Sequence, residues 1–273
     1  MNINFNGKIF PSDKAIFDSQ NRAFLYGDAL FETIRMSEGK MPFLGNHINR
    51  LLKGLYFFKY KVPKKYTTTF FQKEINKIAS KNTRIRITVF RSKGGLYTPK
   101  NNRPQFLIST SPLNSPNFSL NKKGLKIGLF NQLKLPCNPV SNLKTCNSLL
   151  YTLAGLNRQE QNLDEVILLN ENDRISETSS SNIFLIKKNI ITTPSLSEGC
   201  VAGTMRKTIL EIASEKKYII QETSTKISQL QKFEEIWLSN AISGIKWVVK
   251  INQNISLSPP IHAQSFIDSL NTF

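Results

Sequence analysis

The sequence predicts a two-domain mixed α/β (α+β) fold on three observations. Short alternating strands and amphipathic helices are interspersed along the whole chain. Its 273 residues are enough for one large core or two modest ones. The stretch SPLNSPNFSLNKK at 111–123, rich in proline, asparagine and serine, interrupts the pattern. The predicted division is a smaller domain over 1–112, a linker over 113–123 and a larger domain over 124–273.

In the first domain, residues 3–5 and 8–10 read as a hairpin across Asn6-Gly7, a type I′ turn pair. The second half of 21–35 alternates as a strand, and Gly39 sits in the turn before Met41-Pro42-Phe43. Over 44–59, Leu44, Ile48, Leu51, Leu55 and Phe58 recur at helical spacing and form one apolar stripe. Arg50 lies beside that stripe; read alone, it is a solvated helix arginine. A second helix covers about 68–81. In the strand 84–91, Ile85, Ile87 and Val89 share one face, which Arg91 continues, while Arg84 and Arg86 lie on the other. An arginine on an apolar face is costly unless it meets an anion or a carboxylate. Gly94-Gly95 then turns the chain, and 105–110 adds a strand.

The second domain opens with a strand over 125–130 and a rigid loop, Leu135-Pro-Cys-Asn-Pro139. A helix over about 147–161 places Leu149, Leu153 and Leu156 on one stripe. Strands follow at 165–170 and 183–187, the latter with a hairpin partner at 190–193. A helix from about Thr204 to Lys217 buries Met205, Ile209, Ile212 and Ala213, and 234–238 is another buried strand, ending in Ser239-Asn240-Ala241.

Composition narrows the function classes. Hydrophobic content of 40% and charged content of 21% are ordinary for a globular protein. No run approaches the roughly 18 apolar residues of a membrane helix, and the N-terminus lacks the pattern of a secretory leader. Cytoplasmic localisation is the expectation. Three cysteines without C-x-x-C spacing and two distant histidines predict neither a disulfide framework nor a metal site. The net charge of +18 is carried by scattered lysine pairs, without a basic block. That pattern predicts a solvated surface and no nucleic-acid role.

Three groups carry candidate chemistry. Lys144 lies between a rigid loop and an apolar helix, a place where an amine can lose water and act as a Schiff-base nucleophile. In a basic chain the plainer account is a surface lysine. Glu177 shares strand parity with Ile183 and Leu185 and so is expected to point inward, where it could pair with a protonated pyridine nitrogen. Its plainer account is a strand-end carboxylate in water. Gly203-Thr204-Met205-Arg206 opens a helix whose free N–H groups suit a phosphate, although Thr204 could simply be an N-cap.

Six ordered segments carry a family resemblance: Tyr26-Gly-Asp-Ala-Leu-Phe-Glu-Thr-Ile-Arg35, His47-Ile-Asn-Arg50-Leu51, Lys144-x-x-Asn147, Glu177-x-Ser-x-x-Asn-Ile-Phe184, Thr193-Pro194 and Gly199-Cys-Val-Ala-Gly-Thr-Met-Arg206. Together they resemble the class IV aminotransferases, pyridoxal-phosphate enzymes of fold type IV with a D-amino-acid aminotransferase-like fold. The family includes branched-chain and D-amino-acid aminotransferases and aminodeoxychorismate lyases. The resemblance implies that Lys144 carries pyridoxal 5'-phosphate and moves protons. Glu177 would pair with the pyridine nitrogen, and Arg50, Gly203, Thr204 and Met205 would hold the phosphate. The backbone of Asn240 and Ala241 would receive a substrate carboxylate. It further implies a homodimer with active sites between domains, acting on a small anionic molecule.

The stretch Arg91-Ser-Lys-Gly-Gly-Leu-Tyr97 is similar to aminodeoxychorismate lyases, which release pyruvate and 4-aminobenzoate. In that reading Tyr26 and Arg91 contact substrate, Arg91 through a carboxylate. Transamination of branched-chain or D-amino acids is the alternative, with a basic nucleic-acid-binding protein a distant third. Asn21 stands where many relatives carry Asp, and Ala29 replaces the second Gly of Gly-Asp-Gly; both departures bear on substrate more than on cofactor.

Overall fold

The computed structural model describes residues 1–14, 16–252 and 255–273. They form two units, Met1–Asn117 with Leu143–Asn147, and Phe118–Asn142 with Ser148–Phe273. The division after Asn117 falls inside the proline- and asparagine-rich stretch. The return of 143–147 corrects the sequence expectation, which put Lys144 in the larger domain. Backbone hydrogen bonding decides it: Phe31 N donates to Lys144 O at 2.9 Å and Cys146 N to Ala29 O at 2.9 Å. The segment therefore adds to the open edge of a strand in the first unit.

The first unit contains β1 (Asn2–Phe5), β2 (Lys8–Pro11), α1 (Arg22–Tyr26), β3 (Ala29–Met36), α2 (Leu44–Phe57), α3 (Thr68–Asn76), β4 (Thr83–Arg91) and β5 (Pro104–Pro112). Its five strands pair antiparallel in the order β2-β1-β5-β4-β3. The β1–β2 turn takes positive φ at both Asn6 (52°) and Gly7 (91°), as a two-residue hairpin requires. Leu44, Ile48, Leu51 and Leu55 of α2 pack with Ile34, Ile85, Ile87 and Val89 into one core. α3 stops short of the expected 81 because the chain closes a polar turn there: Thr83 Oγ1 donates to Ser80 O at 2.8 Å, leading into β4.

The second unit contains β6 (Leu125–Leu135), α4 (Leu149–Glu160), β7 (Glu165–Asn170), β8 (Ile175–Thr178), β9 (Asn182–Lys187), β10 (Ile190–Thr193), α5 (Thr204–Glu215), β11 (Ile219–Glu222), β12 (Glu235–Asn240), β13 (Gly244–Ile251), β14 (Ile255–Ser256) and α6 (Ala263–Leu270). The strand order is β11-β10-β9-β12-β13-β6-β7-β8, with β14 on β13. The sheet is mixed: β6 runs parallel to β7 and β13, and β10 parallel to β11. β7 is buried along its whole length. Ile167 and Leu169 join one apolar cluster, and Val166 and Leu168 join another on the opposite face. The Leu149/Leu153/Leu156 stripe of α4 exists but points outward, at 81%, 41% and 50% exposure. The helix packs instead through Ala154, Leu150 and Tyr151. No helix of the described residues is long and apolar enough to cross a membrane.

Candidate active site

In the first unit, the strand-like pairing of 143–147 with β3 sets Lys144 beside Phe31. Its Nζ lies 4.6 Å from the Phe31 ring centroid. The guanidinium carbon of Arg86 stands 3.8 Å over the same ring. Arg86 is exposed, donates to Thr88 Oγ1 at 3.3 Å and hydrogen-bonds the Cys146 thiol. Burial pushes that thiol above its ordinary value, against the pull of Arg86 and Lys144. Two cations thus share one aromatic ring on β3, and one of them holds a thiol.

Arg91, expected at a substrate carboxylate, has a counter-charge within its own unit. It is 8% exposed and meets the carboxylate of Asp28, the carbonyl of Phe58 and Asn102 Oδ1, the last at 2.8 Å. Its guanidinium also covers the Tyr60 ring at 4.1 Å. The counter-charge that an apolar strand face demands comes from the chain's own Asp28, so no ligand carboxylate is needed to explain Arg91. The other oxygen of Asp28 is held by Arg22 Nε at 2.9 Å, and Arg22 Nη1 reaches Leu96 O at 2.5 Å, tying down the loop after β4. Burial and the charge of Asp28 raise the Tyr60 hydroxyl well above its ordinary value.

Arg22, Asp28, Tyr60 and Arg91 line a cavity of about 360 Å³ together with Tyr26, Tyr97, Thr145 and Asn147. The rings of Tyr26 and Tyr97 lie 5.7 Å apart. Asn21 caps α1, accepting from Ala23 N at 2.9 Å and Phe24 N at 3.3 Å, so this departure preserves the local turn. Ala29 is buried and lines the same cavity.

Arg50, on α2, reaches the core face of β3. Its Nε and Nη2 fork onto Glu32 at 2.8 and 2.5 Å, and His47 Nδ1 meets the same carboxylate at 2.7 Å. Burial alone would raise Glu32, but Arg50 and His47 outweigh it and hold the carboxyl down at about 2.

In the second unit, Glu177 is 4% exposed. Its carboxylate accepts from Tyr151 Oη at 2.6 Å, Val201 N at 3.1 Å and Asn182 Nδ2 at 3.4 Å. It points inward as expected, but on the other face: opposite Leu168 and beside Asn182, away from Ile183 and Leu185. Parity carried through the turn at 179–181 inverts, because a turn does not keep the two-residue period. Burial and the charge of Glu177 push the Tyr151 hydroxyl far up and the Cys200 thiol up to about 12, so both stay protonated as donors.

The N-cap of α5 is Gly203, not Thr204, and no side chain caps it. Asn182 Nδ2 donates to Val201 O at 2.9 Å, which ties the turn before α5 to the Glu177 carboxylate. Arg206 is turned inward, onto Pro194 O at 2.9 Å and Glu222 at 2.6 Å. Asn240 Oδ1 accepts from Ile242 N and Ser243 N at 3.0 and 2.8 Å, folding the turn that carries Ala241. Its Nδ2 donates to Ser181 at 3.1 Å. Among the described residues, no group of three or more His, Cys, Asp or Glu could hold a metal.

Residues 29–251 match the family model described as amino-transferase class IV. The chain belongs to the class IV aminotransferase family. A branched-chain-amino-acid aminotransferase-like protein of Arabidopsis thaliana is 26% identical over 257 residues, covering 91% of this chain and 45% of that protein. The chain thus spans about half the length of that plant relative. An aminodeoxychorismate lyase of Vibrio harveyi is 25% identical over 228 residues, covering 82% of this chain and 83% of the relative. The branched-chain aminotransferase of Thermoproteus uzoniensis superposes with a TM-score of 0.87 at 20% identity, covering 98% of this chain and 93% of that one, and so shares the fold.

Class IV aminotransferases use pyridoxal phosphate, and the donor set fits that group. A half-buried lysine, a forked arginine, an inward carboxylate held by neutral donors and a helix start without a side-chain cap are all present. Four residues of these settings were not singled out in the sequence. Glu32 was legible as a carboxylate on the apolar parity of Leu30 and Ile34. Asn182 stands in the Glu177–Phe184 motif without a role of its own, and Arg86 and Tyr151 left no local signal, because each acquires its partner only through tertiary packing.

Proposed function

We propose that this chain is a pyridoxal-phosphate-dependent lyase that converts 4-amino-4-deoxychorismate to 4-aminobenzoate and pyruvate, a step of folate precursor synthesis in the cytoplasm. The observation that carries the reading is the exposed Arg86 guanidinium against the same ring as the Lys144 amine. A substrate with two carboxylates and a flat ring suits that surface. A branched apolar side chain there would desolvate a guanidinium without pairing it.

Bound pyridoxal phosphate supplies the electron sink that lets a substrate bond next to the amine break. Lys144 carries the group and moves protons through Nζ. Glu177, oriented by Tyr151 and Asn182, faces the pyridine nitrogen. Arg50 and the backbone of Gly203, Thr204 and Met205 hold the phosphate. Arg86 takes one substrate carboxylate, the backbone of Asn240 and Ala241 the other, and Tyr26 lines the substrate side. The outward leucines of α4 support a homodimer.

Transamination is the second reading, favoured by the aminotransferase names of several relatives. One experiment separates the two. The purified chain, loaded with cofactor, receives aminodeoxychorismate without any keto acid. Equimolar pyruvate and 4-aminobenzoate are the expected products. Turnover that requires a keto acid rejects the lyase, and loss of the visible cofactor band in Lys144→Ala checks the attachment point.

A further inference from the structure

We infer that Glu32 and His47 are positioning residues for the cofactor phosphate, acting through Arg50; the inference rests on the reading above that Arg50 meets that phosphate. Glu32 lies on the core face of β3 between Leu30 and Ile34, at 1% exposure, and His47 lies on α2 at 2%. His47 and Arg50 are three residues apart on α2 and so share a face. Both converge on one carboxylate: Arg50 takes both oxygens, and His47 shares Oε2.

The geometry does more than neutralise a charge. A two-point fork fixes the plane of a guanidinium and the edge it presents, which an arginine on a flexible stem otherwise loses entropy to achieve. His47 fixes the fixer, because a carboxylate anchored at Oε2 by a second element-bound group has less freedom to swing with the arginine. A phosphate therefore meets a donor already set in direction, the arrangement that turns a charge into a preorganised contact. Stability alone is a poor account of this trio. Buried ion pairs are weakly stabilising at best, and this one sits where Leu30, Ile34, Ile48 and Leu51 already form an apolar core.

The test compares dissociation constants of pyridoxal phosphate and of pyridoxal, read by absorbance on the full chain. Their ratio reports the phosphate alone. Glu32→Asp keeps the charge but draws the carboxylate back by one methylene. We expect the phosphate preference to fall about tenfold in Glu32→Asp and less in His47→Gln, with pyridoxal affinity unchanged. Arg50→Met should lose more, and adding Glu32→Asp to it should lose nothing further. An unchanged ratio in Glu32→Asp, with the ratio reduced in Arg50→Met, overturns the positioning inference alone. Equal weakening of both ligands in Glu32→Asp overturns it in favour of a structural role. An unchanged ratio in Arg50→Met rejects the phosphate reading itself. Should Glu32→Asp fail to fold, His47→Gln, which leaves the ion pair in place, decides on the same criteria.

Discussion

Two arginines on one strand differ in their surroundings, and the proposed function gives them different roles. Arg86 is exposed over Phe31 beside Lys144, whereas Arg91 is buried on Asp28. Arg86→Gln should raise KM for a carboxylate substrate more than tenfold with kcat and the cofactor spectrum little changed, since a charge-assisted contact is worth about 1.5–3 kcal/mol. Arg91→Gln should instead lower the melting temperature, because breaking a buried pair from one side costs about 3–5 kcal/mol. Steady-state kinetics and thermal melts on both variants distinguish the roles. Glu32 makes a pH prediction. Its folded value of about 2 lies below the ordinary 4.5, so its ionised form contributes stability above 4.5 that is lost as pH falls toward 2. The melting temperature of the wild type should drop across that window more steeply than that of Glu32→Gln, measured by calorimetry.

At the scale of elements, the start of α5 is the tightest joint. A Cβ on Gly203 would lie 1.9 Å from Asn182 Oδ1, and Asn182 is itself held by Val201 and Glu177. Gly203→Ala must displace Asn182, and through it loosen Glu177. We expect lower thermal stability together with weaker cofactor binding, read by titrating the variant with pyridoxal phosphate; unchanged affinity would separate the turn from the carboxylate. The segment 143–147 works differently, since two backbone hydrogen bonds to β3 set its path, with Leu143 packed on the core and Asn147 Nδ2 donating to Gly27 O at 3.3 Å. Substitution of Thr145 should therefore preserve its path.

For the whole molecule, the charge of +18 and the outward leucines bear on association. Scattered like charges oppose nonspecific self-association. Three leucines at helical spacing on α4 form a patch that a surface helix does not ordinarily expose. We expect sedimentation at about twice the 31.1 kDa of one chain, and a shift toward that single mass in Leu153→Glu. A monomer in the wild type would remove the homodimer from the proposed function.

The sequence by itself determined most elements, because helix and strand periods are local. The α2 stripe, β4, β7 and the β9–β10 hairpin can all be read from spacing within a dozen residues. The ordered motifs likewise determined the family, since they carry residue types whose chemistry is particular to one cofactor. Only the tertiary structure decided direction and partnership. Glu177 faces the opposite way from its extrapolated parity, the α4 stripe faces out, Lys144 pairs with β3, and Arg91 finds Asp28 while Arg86 meets the Phe31 ring beside Lys144. Each of these depends on a contact between residues far apart in the chain, and local periodicity carries no information about which distant group will arrive.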